Sequence, residues 1–144
     1  MPDAPRLDRQ VCFALYSASR AATAVYRPLL DDLGLTYPQY LVMLVLWENE
    51  PRGVRELGEE LGLDSGTLSP LLKRLEALGL VERRRSAEDE RRVAVHLTGA
   101  GSALSRKASG VPQHLAAAAG LSPAELDQLR ETLGKLTSAL HDSL

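Results

Sequence analysis

The 144-residue chain has one cysteine, one phenylalanine and one tryptophan, and aromatic residues make up only 4% of it. A single thiol excludes an internal disulfide and fits a reducing compartment, where it is either an inert core residue or a chemical site. There is no CxxC pair. His96, His114 and His141 are scattered rather than spaced as ligands, so neither a metal nor any other cofactor is expected. No apolar run reaches membrane-spanning length, and Arg9 interrupts the early apolar stretch, so no membrane span or secretory signal is expected and the predicted location is cytoplasmic. The formal net charge of −2 argues against indiscriminate nucleic-acid binding.

What is present is unevenly placed. Residues 51–107 carry 11 basic and 9 acidic groups, whereas residues 1–50 carry 4 and 6 and residues 108–144 carry 2 and 4. The positive balance is therefore local, as in a DNA reader whose phosphate contacts come from one surface. The aromatics are equally concentrated. Phe13, Tyr16, Tyr26, Tyr37, Tyr40 and Trp47 all lie close behind Cys12, and no other Phe, Tyr or Trp follows. A lone thiol beside four phenols points to a sulfur whose anion is stabilised by hydroxyl donors. The competing reading is a buried, inert cysteine among packing tyrosines.

Residues 7–33 place Leu7, Val11, Leu15, Ala18, Ala22, Val25 and Leu29 at steps of three and four, which predicts a helix bent near its end by Pro28. Gly34 stops it. Thr36 and Gln39 form a capping box that opens a helix through about Trp47, and residues 51–53 read as a loop. A short helix over 54–61 ends at Gly62. Asp64 or Ser65 caps the next, which carries Leu68, Leu71, Leu72, Leu75 and Leu78 on one side and stops at Gly79. This is a helix-turn-helix pattern. The period then changes to two around Val81–Arg85 and Val93–Leu97, a β-hairpin with a charged tip. Thr98 starts a helix running to about Ala119, with Gly110 and Pro112 as kink points, and Ser122 with Glu125 caps a last helix bearing Leu126, Leu129, Leu133, Leu136 and Leu140. The predicted fold is mainly α with a small β-hairpin wing: one domain over 1–144, with a winged helix-turn-helix at 51–97 and helical dimerisation and sensing regions at 1–50 and 98–144.

In the second helix of the pair, Ser65, Thr67, Ser69, Lys73 and Arg74 lie near the start or on the polar side. Short hydroxyls at a helix N-terminus can enter the major groove, and Lys73 and Arg74 add charge. In the hairpin, Asp89 can hold Arg91 by a carboxylate–guanidinium pair and aim it into the narrow minor groove, leaving Glu88 and Glu90 facing solvent.

The run Leu68-Ser-Pro-Leu-Leu-Lys-Arg-Leu-Glu-Ala-Leu-Gly-Leu-Val-Glu-Arg83, followed by Asp89-Glu-Arg91 and Leu97-Thr-Gly-Ala-Gly101, resembles the MarR-type winged-helix repressors over nearly the whole chain. The resemblance implies an obligate homodimer, an inverted-repeat operator in double-stranded DNA, major-groove contacts that include Pro70, and wing contacts from Arg84 and Arg91. Leu7-Asp-Arg-Gln-Val-Cys12-Phe-Ala-Leu-Tyr16, then Tyr26-Arg-Pro-Leu-Leu30, then Leu35-Thr-Tyr37-Pro-Gln-Tyr40, is similar to the organic-hydroperoxide-sensing (OhrR) branch of that family. That similarity implies oxidation of Cys12 by an organic hydroperoxide, with hydrogen bonds from Tyr26 and Tyr37 of the other subunit. Independently, Cys12 and Tyr26 are 14 residues apart, about 21 Å along one straight helix, so they cannot touch within it but could meet if two copies crossed antiparallel near residue 19. Tyr16, one turn after Cys12, can approach it within one chain.

Phenol donors favour thiolate over thiol, and the thiolate attacks peroxide oxygen to give a sulfenic acid. With no second cysteine, a low-molecular-weight thiol is the expected resolving partner. No enzymatic activity is expected, since the thiol is consumed. A thiol peroxidase would need turnover and a reductant site. The nearer alternative is a repressor of this family released by a non-covalent phenolic ligand, with Cys12 a bystander.

Overall fold

A computed structural model describes residues 4–89 and 91–144, so Glu90, read above as solvent-facing, lies outside the described residues. Two compact units result, residues 1–109 and 110–144.

In the first unit a 3-10 turn at Leu7–Arg9 precedes helix α1 (Val11–Leu33). Helix α1 runs through Pro28 and ends at Gly34, whose φ of 70° is left-handed and therefore cheap only for glycine. Thr36 and Gln39 make the expected capping box at the start of α2 (Tyr37–Glu48), the side chain of each accepting from the other's N–H. The segment read as a loop contains a two-residue strand, β1 (Arg52–Gly53). It joins α3 (Val54–Leu61), α4 (Ser65–Ala77), β2 (Val81–Arg85), β3 (Val93–Leu97) and α5 (Gly99–Ala108). The sheet is antiparallel in the order β1-β3-β2, with Arg52 opposite Val95 and Val81 opposite Leu97. A strand of two residues has no period to detect. It exists because β3 offers a second edge.

The core lies where α2, α3, α4 and the sheet meet. Leu57, Leu68, Leu72, Leu75, Val81 and Val95 are buried there. Each fully buried leucine contributes about 1.5–3 kcal/mol. Leu68, Leu72 and Leu75 follow helical spacing, so their burial fixes which face of α4 is left outside.

The second unit holds α6 (Val111–Ala119) and α7 (Pro123–Asp142). The single helix expected from Thr98 to about Ala119 is instead two. Its first part, α5, stops at Ala108, and Ser109 and Gly110 separate it from α6, where Pro112 occupies the first turn. Proline lacks the N–H a continuous helix would need there, and glycine weakens the preceding turn. Ser122 and Glu125 form a full capping box on α7. No residue of α7 is buried, and Leu129 and Leu140 are exposed.

Candidate functional site

Two sets of residues are the candidates for the functional site. The first is the face of α4 left open by its buried leucines. Ser65, Thr67, Ser69, Pro70, Lys73 and Arg74 are all exposed. Asp64 rather than Ser65 caps the helix, accepting from the Thr67 N–H at 2.8 Å. That bond holds the Asp64 carboxyl below the usual carboxylate range. Ser65 is thereby left at the open N-terminal end of α4.

The wing is ordered by short local bonds. Asp89 Oδ1 accepts from the Arg91 N–H at 3.0 Å and from Arg91 Nε at 3.3 Å, and Oδ2 lies 3.8 Å from Arg92 Nε. The Arg91 side chain is nevertheless 92% exposed, held at its root and open at its fork. Arg84 is paired along its own strand with Glu82 at 3.1 Å, which keeps the Glu82 carboxyl below its ordinary range. Arg83 forms an ion pair with Glu76 and so ties β2 to α4. That clamp was not among the expected site residues, because nothing local links positions 76 and 83. A cleft of about 1080 Å³ separates α3, α4 and the wing, and Arg55, Ser65, Arg83, Asp89, Arg91 and Arg92 line it. The arrangement presents hydroxyls and guanidinium groups together, the donor set that phosphates and base edges accept.

The second set is aromatic. Tyr26 and Tyr37 have ring centroids 5.0 Å apart, and Tyr40 lies 6.0 Å from Tyr26 and 6.4 Å from Tyr37. Burial, with the neighbouring Tyr37 and Tyr40 phenols, pushes the Tyr26 phenol up to about 12, so it is a proton donor at all ordinary pH. Tyr16 stands apart, half of its surface exposed, with the Arg20 guanidinium 5.4 Å over its ring. Cys12 is an exposed free thiol in the first turn of α1. Phe13, also exposed, follows it. Tyr26 and Tyr37 are thus brought together, while Cys12 and Tyr16 are left at the other end of α1. Tyr40 and Trp47, which the sequence did not single out, adjoin this pair, with the Trp47 ring centroid 6.3 Å from that of Tyr40. Their spacing with Tyr37, three and then seven residues along one helix, was the available signal.

Among the described residues there is no cluster of His, Cys, Asp and Glu able to hold a metal, and no helix long and apolar enough to cross a membrane.

Comparison with known proteins agrees with this architecture. Residues 24–107 match the family described as transcriptional regulator SarA/Rot. The organic hydroperoxide resistance transcriptional regulator of Bacillus subtilis (strain 168) is 48% identical over 139 residues, covering 96% of this chain and 95% of that protein. The HTH-type transcriptional regulator TtmR of Methylorubrum extorquens (strain PA1) is also 48% identical, over 96% of this chain and 71% of its own. Among solved structures, reduced AbfR of Staphylococcus epidermidis bound to DNA superposes with a TM-score of 0.76 at 36% identity, over 94% of each chain. The family consists of transcriptional regulators and not of enzymes. This chain belongs to the MarR-type winged-helix DNA-binding transcriptional regulators, as a one-cysteine member of their OhrR branch.

Proposed function

We propose that this protein is a homodimeric, cytoplasmic repressor that binds an inverted-repeat operator in double-stranded DNA and releases it when an organic hydroperoxide oxidises Cys12, derepressing a peroxide-resistance gene. One observation carries the reading. The paired Tyr26 and Tyr37 rings sit about 21 Å along α1 from the exposed Cys12 of the same chain. Two α1 helices crossing antiparallel near their middles would bring each thiol to the other copy's phenols. The exposed Val11 and Phe13 beside Cys12 are apolar surface that such a pairing would cover.

In that arrangement Tyr26 and Tyr37 donate to the sulfur anion, with Tyr16 supporting it from its own chain. The anion attacks the terminal peroxide oxygen. The O–O bond breaks, Cys12 becomes a sulfenic acid, and the departing alkoxide takes up a proton to leave as the alcohol. A low-molecular-weight thiol then displaces water, forming a mixed disulfide whose bulk shifts the dimer helices and takes the two recognition helices out of register. Ser65, Thr67, Ser69, Pro70, Lys73 and Arg74 serve the major groove. Arg84 and Arg91, the latter aimed by Asp89, serve the backbone and minor groove.

The test titrates operator-bound wild type and Cys12→Ser with cumene hydroperoxide in the presence of free cysteine. We expect release of wild type alone, a cysteine adduct in its intact mass, and recovery of binding with dithiothreitol. Equal release of both proteins would remove Cys12 from the mechanism and leave a regulator switched by a non-covalent ligand. Release without any thiol adduct would remove the mixed-disulfide step.

A further inference from the structure

The tyrosine cluster does not end at Tyr40. Tyr40 is 2% exposed, its ring centroid 6.0 Å from that of Tyr26, 6.4 Å from Tyr37 and 6.3 Å from Trp47, and the Tyr40 and Trp47 rings are edge-on at 68°. Trp47 Nε1 donates to the Gly101 carbonyl at 2.9 Å, a bond spanning 54 positions of sequence. Gly101 in turn lies hard against Leu80. A Cβ at position 101 would sit 2.1 Å from the Leu80 carbonyl oxygen. Thr98 locks the same junction. Its N–H donates to Leu80 O at 3.0 Å and its hydroxyl to Gly79 O at 2.6 Å. Gly79 and Leu80 are the two residues between the C-cap of α4 and the first residue of β2.

We propose that Trp47 is a positioning residue that carries displacement of the tyrosine cluster to the joint between recognition helix and wing. This inference rests on the sensing reading above. Close-packed interiors transmit displacement because no void absorbs it. A buried ring packed against three others cannot move without moving them. Beyond Tyr40 the link becomes directional, because a hydrogen bond fixes the indole to one carbonyl. That carbonyl belongs to a glycine with no room for a Cβ against the Leu80 backbone. Rotation of the indole therefore pulls on the first turn of α5, and the Thr98 bonds pass the pull to Gly79 and Leu80. The recognition helix and wing would then shift together, since Arg83 and Glu76 already join them.

The experiment uses Trp47→Phe, which keeps a ring and removes the N–H. Operator affinity is measured for reduced and hydroperoxide-treated protein, with Cys12 oxidation followed by mass. We expect Cys12 to oxidise at the wild-type rate while the ratio of reduced to oxidised affinity falls by about five- to ten-fold, the order a lost hydrogen bond removes. A merely structural role would weaken both states alike and leave the ratio unchanged, which would overturn the proposal. A second measurement needs no variant. Trp47 is the only indole in the chain, so wild-type emission should shift on oxidation and stay fixed in Cys12→Ser. Release of DNA with unchanged emission would also overturn it. Wild type that keeps its operator after Cys12 has oxidised would overturn the sensing reading, and the relay with it, whereas release of wild type with an unaltered ratio in Trp47→Phe would remove the relay alone.

Discussion

Tyr26 on α1 and Tyr37 at the start of α2 stand ring to ring, 5.0 Å between centroids and inclined at 48°. Burial is the main reason the Tyr26 phenol is pushed up to about 12 from its ordinary 10.0, with Tyr37 and Tyr40 adding to it. The folded state therefore holds its proton longer than the unfolded chain. Stability from this difference is fully present below pH 10 and is lost as pH rises toward 12. We expect an ultraviolet phenolate titration to show Tyr26 absent from the first wave. Thermal melts of Tyr26→Phe should fall less steeply than wild type across that window. Parallel curves would mean that Tyr26 is not shielded.

Arg91 is held at its root by Asp89 and free at its fork. Arg91→Ala should weaken operator binding by about 1–3 kcal/mol, the range for an arginine that reads DNA directly. The sharper case is Asp89→Ala. Removing a carboxylate from the wing tip should tighten operator binding if charge alone matters. We expect weaker binding, because Arg91 and Arg92 lose the group that orders them. Tighter binding in a salt-resolved titration would refute the orienting role.

Local signals made most of this fold legible. The Thr36–Gln39 and Ser122–Glu125 boxes involve residues three apart, so sequence and structure carry the same information. The leucines of α4 predicted both a helix and its buried face. Strand β1 was invisible because its partner lies more than 40 residues away and two residues make no pattern. The break at Ser109 and Gly110 was signalled by Gly110 and Pro112, but not its completeness. At the site, the exposed face of α4 could be listed from the sequence. The meeting of Tyr26 with Tyr37 could not, because it depends on how the left-handed turn at Gly34 returns the chain. The Arg83–Glu76 pair and the Trp47–Gly101 bond are tertiary facts of the same kind.

Gly101 and Gly99 share the first turn of α5 but differ in surroundings. A Cβ at Gly101 would collide with backbone at Leu80, whereas one at Gly99 meets nothing within 4 Å. Gly101→Ala should cost about 1–3 kcal/mol, as overpacking does. Gly99→Ala should be neutral or gain up to about 1 kcal/mol, because alanine loses less backbone freedom in a helix. Chemical denaturation of both variants checks the contrast. Equal stabilities would mean that Leu80 yields without cost and that the joint is not rigid.

Asp64 links pH to the recognition helix. Its carboxylate accepts from the Thr67 N–H at 2.8 Å, and its folded-state titration lies below the ordinary value. A depressed carboxyl adds stability that is present above the unfolded value and lost as pH falls through the folded one. The cap should therefore weaken only in acid, below the usual carboxylate range, and near neutral pH its strength should not change with pH. Two substitutions separate the cap from the charge. Asp64→Asn and Asp64→Ala remove the same negative charge beside the N-terminal end of α4, but only asparagine keeps an acceptor for Thr67. We expect Asp64→Asn to bind operator at least as tightly as wild type and to lose only the Asp64 share of the acid dependence of its melting temperature. Asp64→Ala should melt lower and bind more weakly than Asp64→Asn at every salt concentration. If the two bind alike, the start of α4 is held by its buried leucines alone, and the cap contributes nothing to where Ser65, Thr67 and Ser69 point.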